Sequence, residues 1–424
     1  MGFAARLTAT CLLCLFTTVV LAEENGEERE DPRAKAIDIL ESVPLIDGHN
    51  DVPWQYRLRV DNRIDEINLA GDTSELDPPM HTDIDRLKEG RVGGQFWSVY
   101  VSPDEEGADA TKAQLEQIDI ARRLISRHED LSFVTDADEL MEAFEEGRIA
   151  SLLGMEGGHV IDNSIATLRT FYALGARYMT LTHWQNTDWA DAATDRPEHD
   201  GLTEFGEHVV LEMNRMGMLV DLSHVHPNTM HDTLDVTEAP VIFSHSSAKG
   251  QTPHARNVPD DVLDRVVDNG GVVMVTFVPT FVNEDLRQRQ AARAGELERL
   301  ENLYPGDPEE VSRRIEQWEE DNPAPDATLE DVADHIDYLR DRIGAEHIGI
   351  GGDYDGVSSL PEGLGDVSTY PDLFAELVER GYEREELEKI AGLNVLRVMR
   401  EARTVAEELR EEMEPVDVRI EDFD

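Results

Sequence analysis

Short β-rich apolar runs alternate along this chain with longer stretches whose apolar residues recur every three to four positions. The runs predict strands near residues 44–47, 94–101, 149–154, 177–181, 218–222, 240–244, 271–276 and 347–352. Between them the helical period predicts helices over 111–128, 136–147, 162–175, 203–216, 226–236, 259–269 and 328–343, with two more, 371–380 and 384–400, after the last strand. Asp136, Asp162, Thr203 and Thr328 stand where N-caps belong. Gly147, Gly175, Gly217 and Gly270 stand where a left-handed residue would close a helix. Eight strands alternating with helices predict an α/β chain folded as one (β/α)8 TIM-type barrel. A doubly wound open sheet is the competitor, and no Gly-x-Gly-x-x-Gly turn follows the first strand to support it. The segment 283–326, rich in Glu and Arg and carrying Pro305, Pro308, Pro323 and Pro325, interrupts the alternation. It reads as an acidic helical insertion before the last strand, either a solvated excursion or a lid.

Chemistry gathers where the apolar runs stop. The first run ends in Leu45-Ile46-Asp47-Gly48-His49-Asn50-Asp51. Residues two apart in an extended backbone point to the same side, so His49 and Asp51 can reach one ion. Later runs end in Glu156, His183, His224, His245 and Asp353. In a parallel barrel those positions converge on one mouth, where active sites sit. Imidazole with carboxylate and no thiolate suits Zn²⁺ or another borderline divalent metal. Four histidines and three carboxylates exceed the needs of one ion. Two ions about 3.5–4 Å apart need a bridging carboxylate and can hold a hydroxide between them, and Glu156 is placed to bridge. Each residue also has a plainer reading: a hydrogen-bonded strand-end histidine, a glutamate capping the next helix, or, for Asp353 and Asp355, a calcium loop. The last fails because the twelve-residue ligand pattern ending in Glu is missing. Gly-x-Ser-x-Gly, His-Glu-x-x-His and Gly-x-x-x-x-Gly-Lys are absent, and Ser246 and Ser247 read as turn residues.

Composition narrows the setting. The chain has 424 residues, 40% hydrophobic, with a formal net charge of -53 spread along its length. Lysine occurs only at 35, 88, 112, 249 and 389. Such a surface repels nucleic acid and anionic membranes. It reads as a solvated, halophilic coat whose self-repulsion salt screens, with an acidic docking face as the alternative. Residues 1–22 read as a signal peptide: Arg6, a mostly apolar Leu7 to Leu21, and Val20-Leu21-Ala22 as the cleavage site. The apolar part, about 15 residues, is short of the roughly 20 that span a bilayer. An exported protein, periplasmic or secreted, is therefore expected, with an N-terminal membrane anchor as the alternative. Cys11 and Cys14, the two cysteines, both lie in this segment, so a processed chain would carry no disulfide. Residues 23–36 read as a flexible acidic segment, 37–402 as the barrel and 403–424 as an acidic, fraying tail without a lipid-anchor signal.

Several strings resemble the membrane (renal-type) dipeptidase family. They are Asp47-Gly48-His49-Asn50-Asp51-Val52-Pro53-Trp54, Glu156-Gly157-Gly158-His159, Leu181-Thr182-His183, Asn186-Thr187-Asp188-Trp189-Ala190-Asp191, Val241-Ile242-Phe243-Ser244-His245-Ser246-Ser247-Ala248, Arg256-Asn257-Val258-Pro259-Asp260-Asp261 and Gly351-Gly352-Asp353-Tyr354-Asp355-Gly356-Val357. The similarity runs in order from about residue 37 to 400. It implies a zinc-dependent barrel with two Zn²⁺ per chain, one held by His49, Asp51 and Glu156, the other by Glu156, His224 and His245. It implies catalytic roles for Glu156, His183 and Asp353, and substrate binding by His183, Arg256 and Asp353. The implied substrates are dipeptides, some with a C-terminal D-residue, or β-lactams, and a homodimer is compatible with it. Read on the residues alone, a related binuclear amidohydrolase for another small amide, lactam or ester stays open, as does an exported metal-binding barrel without turnover. The family's animal members use disulfides and a lipid anchor, both of which the processed chain is expected to lack, and the excursion at 283–326 departs from the family pattern.

Overall fold

Each of the eight expected apolar runs forms a strand. They are β1 (Leu45–Asn50), β2 (Val92–Ser98), β4 (Ile149–Glu156), β5 (Ala176–Thr180), β6 (Leu219–Asp221), β7 (Ile242–Phe243), β8 (Val272–Val275) and β9 (Ile348–Ile350), with a short β3 (Leu131–Phe133) beside them. The structure is a computed structural model and describes residues 1–2 and 31–423. The expected signal over 1–22 and the acidic segment as far as residue 30 lie, but for residues 1–2, outside the described residues.

All strand pairs are parallel. Their order is β2-β1-β9-β8-β7-β6-β5-β4, and β2 pairs back onto β4 from Gly94↔Ala150 to Ser98↔Gly154. That last pairing closes an eight-stranded barrel wrapped in helices, a (β/α)8 fold. Every residue of β1, β2 and β4 is buried. Parallel strands covered on both faces read as continuous apolar runs without alternation, which is why the sequence exposes them. β3 pairs only with β4, and three residues are too few to show a period.

Helix boundaries follow cap chemistry. The Asp136 carboxylate accepts from the N–H groups of Asp138 and Glu139, Thr203 caps Glu204–Met216, and Thr328 with Asp331 forms a capping box. Gly217 (φ 82°) and Gly270 (φ 81°) close their helices in the left-handed region. Asp162 does not cap. At φ 49° it ends a 3₁₀ turn, and the helix Ile165–Ala173 starts from Ser164, whose Oγ accepts from the Thr167 N–H. The helix expected over 384–400 is broken by a π turn at Lys389–Leu393 and then runs on to Glu412. A side chain on Gly392 would collide with the Pro44 carbonyl and Ile46, so the turn brings bare backbone against β1.

Both ends of the described chain are more ordered than their charge suggests. Pro32–Ser42 is a helix that buries Ala36, Ile39 and Leu40. Past residue 402, Ala406 is buried; Val416 donates its N–H to Glu212 and accepts from Arg169 through its carbonyl. The excursion is a pair of linked helices, Glu284–Leu303 and Pro308–Asp321, closed on a small core of Leu300, Val311 and Ile315. Among the described residues no helix is long and apolar enough to cross a membrane.

Candidate metal centre

The barrel carries the reactive side chains to one mouth. His49 lies at the end of β1 with Asp51 just past it, Glu156 ends β4, and His183, His224, His245 and Asp353 follow β5, β6, β7 and β9. Asp353 is half-buried and the other six are buried.

Glu156 organises the cluster. Its Oε2 lies 3.4 Å from His49 Nε2, which is itself 3.2 Å from Asp51 Oδ2. Its Oε1 faces the other way, 3.0 Å from His224 Nε2 and 3.4 Å from both His245 Nε2 and His183 Nε2. One carboxylate thus presents one oxygen to each of two donor sets. Ligand-capable atoms converge in three overlapping groups: His49, Glu156 and His245; Glu156, His183 and His224; and His49, Asp51 and Asp353. The geometry therefore brings together all seven expected residues, and it sets His183 and Asp353 among the possible ligands as well as beside them.

Hydrogen bonds fix which imidazole nitrogens face inward. The Tyr178 hydroxyl donates to the Gly48 carbonyl (3.1 Å), so it accepts from His49 Nδ1–H (2.9 Å), and in the neutral imidazole this leaves Nε2 as a bare lone pair. That Nε2 is buried with no hydrogen-bond partner. The Ser244 hydroxyl donates to Asp221 (2.6 Å) and accepts from His245 Nδ1–H (2.8 Å), which bares His245 Nε2 in the same way. His245 Nε2 then sits 2.9 Å from His224 Nε2, with Glu156 Oε1 beside both. Lone pairs crowded at these distances fit a divalent cation, and orienting partners on the far ring nitrogen are what metal-bound histidines use.

Two carboxylates outside the cluster position it. Asp47 accepts from the His49 N–H (2.8 Å), the Gly352 N–H (2.8 Å), Gln95 and the Tyr370 hydroxyl, tying the ends of β1 and β9 together. Asp221 accepts from the Ser223 and Ser244 N–H groups (3.0 and 2.8 Å), the Ser244 hydroxyl and Thr180 (2.5 Å), tying β5, β6 and β7. Sequence reasoning gave neither a role, although a carboxylate inside an apolar strand is itself a signal, because burying one is costly unless it is paired or hydrogen-bonded. Asp221→Asn should weaken metal binding by about 10–100-fold, as loss of such partners does elsewhere, while circular dichroism stays native. Unchanged affinity in a competitive chelator titration would remove Asp221 from this role.

His224 (φ 68°) and Asp353 (φ 63°) sit in the left-handed region, which side chains other than glycine avoid. Such strain, of order 1–3 kcal/mol per residue, persists where surroundings over-determine it and clusters at functional sites. Here the His224 carbonyl accepts from Ala193 (2.7 Å), and the Asp353 N–H donates to the His49 carbonyl (3.2 Å).

The electrostatics suit cations. Burial pushes Asp353 well above the usual carboxylate range, with Asp51 and Glu156 adding to it and His49 and Arg256 opposing. Burial also pushes Glu156 up, but His49, His183 and His224 outweigh it and hold it well below. Burial, with Arg256 nearby, keeps His224 and His245 neutral, the form that ligates. Beside the cluster lies a cleft of about 320 Å³ walled by Trp54, Tyr100, Trp184 and Phe281. Arg256 enters it buried; it donates to Ser246 Oγ and the His245 carbonyl, and burial lowers it to about 10.

Imidazoles and carboxylates gathered in a barrel mouth beside a cleft of this size define a metal-dependent hydrolase. Residues 33–413 match the family described as membrane dipeptidase (peptidase family M19). The chain belongs to that family and is an enzyme of the metallopeptidase class. The resemblance read from the sequence is borne out over nearly the whole chain. It is 41% identical to Dipeptidase 3 of Mus musculus over 384 residues, 89% of this chain and 68% of that protein. The fold is similar to the probable dipeptidase PvdM of Pseudomonas aeruginosa (TM-score 0.75, 22% identity, 88% of this chain and 99% of that one). It is also similar to a metallo peptidase from Rhodobacter sphaeroides liganded with a phosphinate mimic of the dipeptide L-Ala-D-Ala (TM-score 0.68, 24% identity, 85% and 99% covered).

Proposed function

We propose that this chain hydrolyses the peptide bond of dipeptides with two zinc ions, His49, Asp51 and Glu156 holding one and Glu156, His224 and His245 the other. The observation that carries this reading is Glu156, whose two oxygens face separate sets of buried donors. When bound, the ions supply an activated water and polarise the scissile carbonyl. The remaining work falls to the chain. Asp353 takes the proton from the attacking water and returns it to the leaving amine. His183 Nε2 donates to the developing oxyanion, a contribution of roughly 3–4 kcal/mol where such donors have been removed. Arg256 offers a guanidinium with no carboxylate partner among the described residues, so it can hold the free carboxylate of the substrate as a fork. A peptide with more than one residue beyond the scissile bond would lose that contact, which favours dipeptides over longer chains. The liganded Rhodobacter sphaeroides neighbour supports extending the range to a D-residue at the C-terminal position. We further read residues 1–22 as an export signal, with the acidic surface adapted to salt.

The test is metal analysis combined with a panel of L,L- and L,D-dipeptides, before and after chelation, at low and high salt. Two zinc ions per chain, turnover that chelation abolishes and zinc restores, and activity that rises with salt are expected. Metal-replete protein that hydrolyses no dipeptide would overturn the reading. Turnover confined to lactams or esters would move the chain to another amidohydrolase activity.

A further inference from the structure

Arg177 is the second residue of β5 and Leu219 the first of β6, so both lie at strand N-termini, the end of the barrel away from the metal mouth. There they line a cleft of about 200 Å³. Arg177 donates from Nε to the Thr135 carbonyl (2.5 Å) and from Nη1 to the carbonyls of Tyr172 (3.1 Å) and Ala176 (2.8 Å), with the Tyr172 ring 4.3 Å from its guanidinium carbon. Its Nη2 has no acceptor, and no carboxylate lies within 4 Å of it among the described residues. That is unusual in a chain with 91 acidic and 38 basic residues, where a half-buried guanidinium would ordinarily be paired. Arg410, on the same cleft, also ends on carbonyls, those of Arg215 and Met216. Arg256 shows the same pattern at the metal mouth, where the proposed reaction needs a carboxylate held.

The cleft is also lined by the apolar side chains of Met216, Leu219, Met399 and Ala406, by Asp136 and Arg403, which face each other at 3.9 Å, and by exposed Glu407. We propose that this cleft is a second ligand site that takes a free amino acid with an apolar side chain. The carboxylate pairs with Arg177 and Arg410, the ammonium with Glu407, and the side chain packs on the methionines. The volume falls below the roughly 300–1,000 Å³ of drug-sized pockets, which suits a single amino acid better than a dipeptide. The site stands independently of the proposed reaction, although an amino acid is what that reaction would release.

The test is calorimetric titration of the metal-loaded protein with L-leucine, in an Arg256→Met background that removes the carboxylate fork at the metal mouth. One L-leucine per chain is expected. Adding Arg177→Met or Ala406→Met should weaken it at least tenfold, the second by filling the cleft without disturbing the carbonyls that Arg177 braces. In the same background 4-methylpentanoate, which lacks the amine, should bind and isopentylamine, which lacks the carboxylate, should not. With Arg256 intact, Arg177→Met and Ala406→Met should leave dipeptide hydrolysis unchanged. Absence of binding at millimolar L-leucine, unchanged affinity in the cleft variants, or equal binding of the amine would overturn the proposal.

Discussion

Glu156→Gln is expected to fold and yet lose most of its bound metal, with kcat/KM falling by about 10³ or more, roughly 4 kcal/mol of transition-state stabilisation. The size follows from the position. Glu156 touches His49 through one oxygen and His183, His224 and His245 through the other, so neutralising it weakens both donor sets at once. Folding should survive because the amide has the same shape, and its NH₂ can donate to the bare Nε2 of His245. Ser98, which donates to Glu156 Oε2 (3.2 Å), still meets an oxygen if the amide turns its carbonyl that way. Zinc content after dialysis, thermal unfolding and dipeptide turnover measured on one preparation decide the matter. Two ions retained with near-native turnover would remove Glu156 from the bridge, and with it the binuclear reading.

How much of this was legible in the sequence depends on what each residue does. The eight barrel strands showed because parallel strands buried on both faces are continuous apolar runs, and all eight expected runs contain one. The seven cluster residues showed because the same topology puts strand ends at one mouth, so strand position became site position. Cap chemistry gave helix starts at Asp136, Thr203 and Thr328 to within a residue. It failed at Asp162, where a 3₁₀ turn intervenes that leaves no pattern in so few residues. The missed residues act across strands that are distant in sequence. Tyr178 reaches His49 from 129 positions away, and Tyr370 reaches Asp47 from 323 away. Nothing local marks such pairs, except that a side chain on Gly154 would overlap the Tyr178 ring and so close its path through the barrel. The ordered ends were hidden for another reason. Their charge reads as solvation, while the burial of Ala36, Ile39 and Ala406 involves few apolar positions.

Asp353→Asn is expected to keep both metals and lose turnover by about 10²–10⁴-fold, the range that a positioned proton carrier contributes, with KM little changed. The substitution is well matched to the backbone. Asp353 sits at φ 63°, a conformation that asparagine tolerates as readily as aspartate, so the loop into Tyr354 should not move. The neighbourhood supplies the alternative. Asp353 lies within ligand reach of His49 and Asp51, and if its main work were to bind metal there, the asparagine variant would lose an ion in step with activity. Removing a carboxylate from beside Asp51 and Glu156 also relieves repulsion in the protein without metal. The variant without metal should therefore be at least as stable as the parent, which separates lost chemistry from lost fold. Metal content thus discriminates the two roles. Two ions with little turnover assign the proton to Asp353, one ion makes it a ligand, and two ions with native turnover leave the proton transfer to another group.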